Sequence, residues 1–565
     1  MRRLLPLLIA LPVVALALAP ATSAQDAPSP ASSGYTVRGT VVNAITGQPE
    51  ARALVSIVDD QAVLTDSNGQ FSFDNVSSGN YPVSVSKPGF EGRGTGMAGI
   101  MMRAGHGFIP PRPSSPIRIQ VGPDMPALTV RITPLAAITG HVTLSTADPA
   151  DGFQIQAFVR QLRNGHPQWT LAGLAHTRSD GSFRIGGLAP GSYRLATLPS
   201  LDRPGQGFNS RSAVWGYPSL YYPGTTDAGA AGILNLGAGQ QAEADITLVR
   251  QQFFPVVAIV HSSSETPANF EILDSGGRQT GLFARWDRSD GVVRATVPNG
   301  TWTMEANVYG RNQEWGSTPF QVNGAPASLA INVQPMPPIP VVIRREFLAS
   351  ADGSQPQVPD PGLSLELTDA DGTSMVPGGM IHNDNSSAAS PWELNVTKPG
   401  RYWIRAQSFL PAYVSSITSG GVDLGSNPLV VVPGSTPAPV EVTLRNDGGT
   451  VAGTVDTHTP GASSANTVGE SPQVWIYAIP LFSTAAGVPE GSLQSNGQFT
   501  IPNLAPGPYR IVACDAQQEI DFHSPEGLAA WAGKGQTATV EAGGTASVEL
   551  DIVHINPEVE EEAAQ

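Results

Sequence analysis

Apolar and polar positions alternate along most of the chain with a period of two. In "QFSFDN", Phe71 and Phe73 are separated by Ser72 and Asp74. Such alternation predicts a β-strand with one buried face. The stretch from Ser67, SNGQFSFDNVSSGNYPVSV, aligns without a gap with SDGSFRIGGLAPGSYRLAT from Ser179 and SNGQFTIPNLAPGPYRIVA from Ser495. Each copy has a turn glycine (Gly69, Gly181, Gly497) and a phenylalanine two residues on (Phe71, Phe183, Phe499). A second glycine follows (Gly79, Gly191, Gly507), then a tyrosine two residues later (Tyr81, Tyr193, Tyr509). Asn-Gly and Asp-Gly tolerate the positive φ of tight hairpins, so each block predicts strand, turn, strand.

Two fainter copies share the second glycine. Gly300 stands among Val292, Val297, Trp302 and Met304, and Gly400 among Trp392, Leu394, Tyr402 and Ile404. The five anchors are 112, 109, 100 and 107 residues apart. That period is the length of a domain, not of a solenoid repeat. Strand-like segments open the units ("VRGTVV", "AITGHVTL", "GTVAGTVD") and close them ("ALTVRI", "ADITLV", "PVEVTL", "SVELDI"). The best short helix candidate is "EGLAAWAGKG" at 526–535. The expected fold class is therefore all-β, a tandem array of about five β-sandwich domains. Expected limits are 33–134 with an inserted loop at 91–116, then 135–250, 251–335, 336–446 and 447–556, and an acidic tail at 557–565.

Composition adds compartment and excludes some partners. The 61 Gly and 51 Pro in 565 residues suit turn-dense β structure, and 40% apolar content is too high for a disordered chain. The N-terminus, MRRLLPLLIALPVVALALAPATSAQD, has the charge, apolar core and small residues of a secretory signal peptide. The expected cut follows Ala24, with one after Ala21 as the alternative. The remaining chain holds no apolar run long enough to span a bilayer. It is therefore expected to be secreted, periplasmic or associated with the cell envelope. Loss of Arg2 and Arg3 takes the formal charge from −16 to −18, which disfavours nucleic acid as a partner. Cys514 is the only cysteine, so no internal disulfide can form. Its place after "YRIVA" predicts a buried thiol at a strand end.

The segment VRGTVVNAITGQPEARALVSIVDDQAVLTDSNGQFSFDNVSSGNYPVSVSKPGF resembles a carboxypeptidase regulatory-like domain, a transthyretin-like sandwich. The resemblance is carried by "GTV" in the first strand, the G-x-P loop, the D-x-N/D-G-x-F turn and the G-x-Y turn. The third and fourth units keep mainly the second turn. "SPIRIQVGPDMPALTVRITPLAAITGHV" and "YYPGTTDAGAAGILNLGAGQQAEADITLV" resemble connectors in long secreted bacterial proteins built from such units. The resemblance implies a fold grouped with carbohydrate-binding-like and immunoglobulin-like sandwiches. It implies little about activity, because these domains are accessories in carboxypeptidases, adhesins and outer-membrane receptors alike.

Candidate chemistry is sparse. His523 and Glu526 have the H-x-x-E spacing of zinc carboxypeptidases, but only 39 residues follow Glu526, too few for the third ligand, base and pocket such a site needs. Gly94, Gly96 and Gly99 spell G-x-G-x-x-G without the βαβ context a dinucleotide requires. Met97, Met101, Met102 and His106 form a soft-ligand set suited to Cu(I), but read more simply as loop cover. "DADG" at 369–372 and "DSNG" at 66–69 lack the glutamate of an EF-hand and read as turns. The three lysines are Lys87, Lys398 and Lys534, so a lysine isopeptide lock has no donor in the second and third units. No cofactor, no metal and no catalytic residue is expected.

One binding candidate remains. "AVWGYPSLYYPGT" places Trp215, Tyr217, Tyr221 and Tyr222 within eight residues. Such rings suit sugar stacking or protein contact, or they plug an open end of the sandwich. Four rings on a connection cannot all enter one core, so at least one is expected exposed beside a groove. The sequence thus reads as a non-catalytic, exported multidomain binding protein, with polysaccharide or a cell-surface protein as partner. Two alternatives stay open: a passive stalk or protein-binding scaffold, and an accessory subunit of a hydrolase or an unrecognised one.

Overall fold

The computed structural model describes residues 34–58, 61–92, 117–123, 125–163, 165–202, 212–262, 269–308, 313–349, 362–371, 381–382, 392–435, 437–456, 474–494, 497–515 and 517–555. The leader, the Gly94–Gly99 motif, the methionine set with His106, and the acidic tail lie outside these residues.

Nearly every described element is a strand. One topological feature recurs five times: an opening strand pairs in parallel with a closing strand roughly a domain's length later. Tyr35–Asn43 pairs with Leu128–Ile132, and Ala136–Leu144 with Gln241–Glu243 and Ile246–Leu248. Gln251–His261 pairs with Ala327–Asn332, Ile339–Glu346 with Val440–Arg445, and Gly449–Asp456 with Thr545–Val553. In the first segment Gln70–Val76 completes a three-stranded sheet with this pair. The facing sheet is Gln61–Leu64, Leu54–Val58, Gly79–Ser86 and Ile117–Val121. The two inner faces close over Val37, Val41, Phe71, Phe73, Val83, Val85 and Val130, all buried. The last segment differs in closure. Trp475–Pro480 pairs with Gly507–Cys514 on one side and Glu490–Leu493 on the other, so its sheets join at both edges.

The repeated glycines have two separate physical roles. Gly39, Gly140 and Gly453 of the opening strands lie opposite Phe71, Phe183 and Phe499. A Cβ there would meet both the ring and a closing-strand carbonyl: at Gly140 it would sit 1.9 Å from the Ala244 oxygen and 3.1 Å from the Phe183 ring. The anchors Gly79, Gly191, Gly300, Gly400 and Gly507 share φ values of 157°, 155°, 152°, 155° and 155°, a region open almost only to glycine. The aromatic residue two positions on then turns back to cap the turn. The hydroxyls of Tyr193, Tyr402 and Tyr509 donate to the carbonyls of Ala189, Lys398 and Ala505 at 2.6, 2.7 and 2.9 Å. In the third segment Trp302 Nε1 does the same to Pro298, at 3.0 Å. The weaker sequence copies therefore share the strong ones' backbone geometry.

Two sequence expectations are adjusted. Ser200–Leu201 and Val214–Tyr217, placed by sequence in 135–250, hydrogen-bond as a ribbon to Gln251–His261 and so extend the next segment's sheet. The expected helix at 526–535 is Pro525–Ala530. Ser524 caps its start by accepting from Gly527 N–H, and left-handed Gly533 and Gly535 end the turn that follows. Cys514 is fully buried at the end of its strand, and burial pushes its thiol up to about 12.

Candidate functional site

The aromatic segment is split by its strand. Trp215 lies on the Val214–Tyr217 ribbon and is 45% exposed, with the Arg250 guanidinium over its ring at 4.8 Å. Arg250 is itself held by Asp202, whose carboxylate accepts from Nε at 2.9 Å. Tyr217, two residues on at the end of the same strand, lies edge-on to Phe153 with ring centres 5.4 Å apart, and with Tyr222 it packs on the core of the second segment. Tyr221 is half-buried, and burial raises its hydroxyl pKa. The four rings form no common platform: Trp215 faces solvent, Tyr217 and Tyr222 cover the core, and Tyr221 is half-buried.

A second cluster was invisible to sequence reasoning. The hairpin Gln154–Arg163 and His166–His176 turns through Gly165, whose φ is 79°. The turn carries His166 away from its own sandwich to meet Trp403, on the strand Gly400–Ser408, and His523, just before the short helix. The His166 ring stacks on Trp403 at 4.3 Å and 11°, and on His523 at 4.5 Å and 12°. Gly165 is obligatory here, because a Cβ would sit 2.8 Å from the His523 ring. Asp521 fixes the third member by accepting from the backbone N–H groups of His523 and Ser524 at 3.1 and 3.0 Å.

Polar contacts surround the stack. Arg163 meets Glu366 at 3.4 Å, and Gln168 Nε2 donates to the Asp369 carbonyl at 2.8 Å. Ala406 N–H donates to the Ala485 carbonyl at 2.8 Å, and the hydroxyls of Ser426 and Ser483 lie 2.6 Å apart. Beside the stack is a cavity of about 310 Å³, walled by residues of all three segments, including Arg405, Tyr477 and Glu519. Burial lowers the His166 pKa against an opposing pull from Asp521. Burial, then the neighbouring His166, lowers that of His523 to about 4. Both rings are neutral at pH 7, and His166 Nε2 is buried without a hydrogen-bond partner among the described residues. Glu526, the other half of the H-x-x-E spacing, is exposed on the helix, so the motif is not assembled as a ligand pair.

With the sandwich topology and its turn geometry in view, the first segment can be assigned. Residues 36–103 match the carboxypeptidase regulatory-like domain. No curated protein sequence matches the chain. Among solved structures, the Bacillus anthracis TIE protein is 10% identical with a TM-score of 0.17, over 53% of this chain and 50% of that one. A streptococcal ancillary pilin is 9% identical with a TM-score of 0.18, over 53% and 99%. A minor pilin of Streptococcus agalactiae is 9% identical with a TM-score of 0.17, over 40% and 99%. Likenesses this distant say nothing of what the chain binds or does.

Two of the three lysines form ion pairs, and Lys534 lies over the Trp531 ring. In the carboxypeptidase regulatory-like domain, Lys87 pairs with Glu50, whose other oxygen accepts from Asn43 Nδ2 at 3.0 Å. Lys398 reaches across to the preceding segment and meets Glu305 at 2.7 Å. Glu305 is buried, and that burial raises its pKa against the opposing pull of Lys398. On the second segment, His141, Glu243 and Asp245 bring ligand-type atoms within 4.8 Å of one another, all three exposed. No described helix is long and apolar enough to cross a membrane.

Proposed function

We propose that this is an exported, non-catalytic protein of about five β-sandwich domains, divided near 134, 250, 335 and 446, acting as a shaped scaffold for protein partners. The observation that carries this reading is the His166–Trp403–His523 stack. It ties the second, fourth and fifth sandwiches together although they are not consecutive. The Lys398–Glu305 pair adds a buried contact between the third and fourth. A flexible string of modules has no use for such long-range contacts; a scaffold that must present a fixed surface does. Export follows from the leader-like N-terminus, with cleavage near Ala24 as part of the proposal.

A second reading, weak polysaccharide binding, is favoured by one observation: Trp215 is exposed. A single ring contributes on the order of 1 kcal/mol beyond area burial, which is useful only on a multivalent target. Retention on insoluble polysaccharide and capture of envelope proteins, each with wild type and Trp215→Ala, separates the two. The scaffold reading expects saturable protein capture and no polysaccharide retention. Retention lost in Trp215→Ala, with no protein captured, would replace it by the glycan reading.

A further inference from the structure

We propose that the stack is a proton-operated latch: protonation of the His166–His523 pair releases the hairpin turn of the second sandwich from the fourth and fifth. This rests on the interlocked arrangement proposed above. The geometry permits one imidazolium more readily than two. The face of Trp403 and the carboxylate of Asp521 favour a first positive charge. A second would lie against it with ring centres 4.5 Å apart, in a half-buried site.

The other charges at the junction do not remove this conflict. From its own hairpin Arg163 is paired with Glu366 of the strand Leu363–Asp369, while the strand Gly400–Ser408 brings Arg405, a further cation. The fifth sandwich contributes Glu490 from Glu490–Leu493, Tyr477 from Trp475–Pro480, and Glu519 beside Asp521. Glu490 and Glu519 line the same cavity as the rings, but the carboxylate that acts on both imidazoles is that of Asp521.

The sign follows from linkage. A histidine neutral in the docked state and ordinary when released binds fewer protons docked, so docking weakens as pH falls below about 6.5 and levels off below the docked value. For His523, held at about 4, this amounts to roughly 30-fold in the docking equilibrium at pH 5 and about 300-fold below pH 4. His166 adds to the same side.

Small-angle scattering of the full protein at pH 7.5 and pH 5.0 tests the latch, with His166→Phe/His523→Phe as the variant that keeps the stack and removes the protons. The expected result is a reversible rise in radius of gyration at pH 5.0 for wild type and none for the variant. An unchanged wild type, or a variant that opens equally, overturns the latch. An extended wild-type particle already at pH 7.5 would instead overturn the scaffold reading beneath it. Should the double variant fail to fold, histidine side-chain NMR of wild type decides. Of the nine histidines, His523 must titrate well below the rest and His166 must be lowered too, over the pH range in which the particle expands. Nine ordinary titrations would sink the proposal.

Discussion

Replacing Tyr193 tests the turn geometry that the five anchor glycines share. Tyr193 is 1% exposed, its ring lies in the core of the second sandwich, and its hydroxyl donates to Ala189 at 2.6 Å. Tyr193→Ala removes the ring and leaves a cavity, costing roughly 3–5 kcal/mol as other large aromatic truncations do. Tyr193→Phe keeps the packing and loses only the hydroxyl bond, costing about 1 kcal/mol. Equilibrium urea unfolding of the full protein gives both values, with hydrogen exchange mass spectrometry assigning the transition to residues 136–248. The interlock adds a further expectation. Because His166 belongs to the same sandwich, the alanine variant should also increase exchange at the strand carrying Trp403. A cost under about 1 kcal/mol for alanine, or equal costs for the two variants, would refute the assignment of Tyr193 as both core residue and turn cap.

Two further outcomes follow from packing and charge. Gly140→Ala must push a Cβ into the Ala244 carbonyl, 1.9 Å away, and should destabilise the second sandwich by about 3 kcal/mol or more in the same urea assay. Lys398→Met should cost roughly 3–5 kcal/mol by stranding buried Glu305, whereas Lys398→Met with Glu305→Leu should recover most of that loss. The raised Glu305 pKa fixes the sign of the single variant's pH response: its deficit should shrink as pH falls and Glu305 becomes neutral.

Features encoded within a few residues were legible in the sequence. The anchor glycines and the tyrosines two positions on report backbone conformations that few other residues can adopt, so even the diverged copies at Gly300 and Gly400 could be aligned. The inward phenylalanines could be read from period-two alternation, whereas the glycines they cover on the opening strands emerge only from the strand pairing. What could not be read is what lies between sandwiches. His166 sits in an unremarkable hairpin turn, Trp403 in an ordinary strand and His523 in a misleading H-x-x-E spacing. Their meeting depends on the relative placement of three domains, which no local pattern encodes. The same limit explains the aromatic segment. Its ring density was visible, but the pairing of Val214–Tyr217 with Gln251–His261, which carries Trp215 away from the second segment's core while Tyr217 stays against it, is a contact with the following unit.

Contact between the second and fifth segments separates this protein from a string of independent modules. Spin labels at Pro167→Cys and Glu526→Cys, both exposed sites flanking the stacked histidines, measure this directly by double electron–electron resonance. Native Cys514 is fully buried with its thiol pushed up to about 12, so it should escape labelling. The labelled positions are one and three residues from rings 4.5 Å apart, so a dominant distance below roughly 30 Å is expected at pH 7.5. A string of independent domains would place two sandwiches, each about 30 Å across, between the labels. A distribution centred beyond roughly 60 Å would contradict the account.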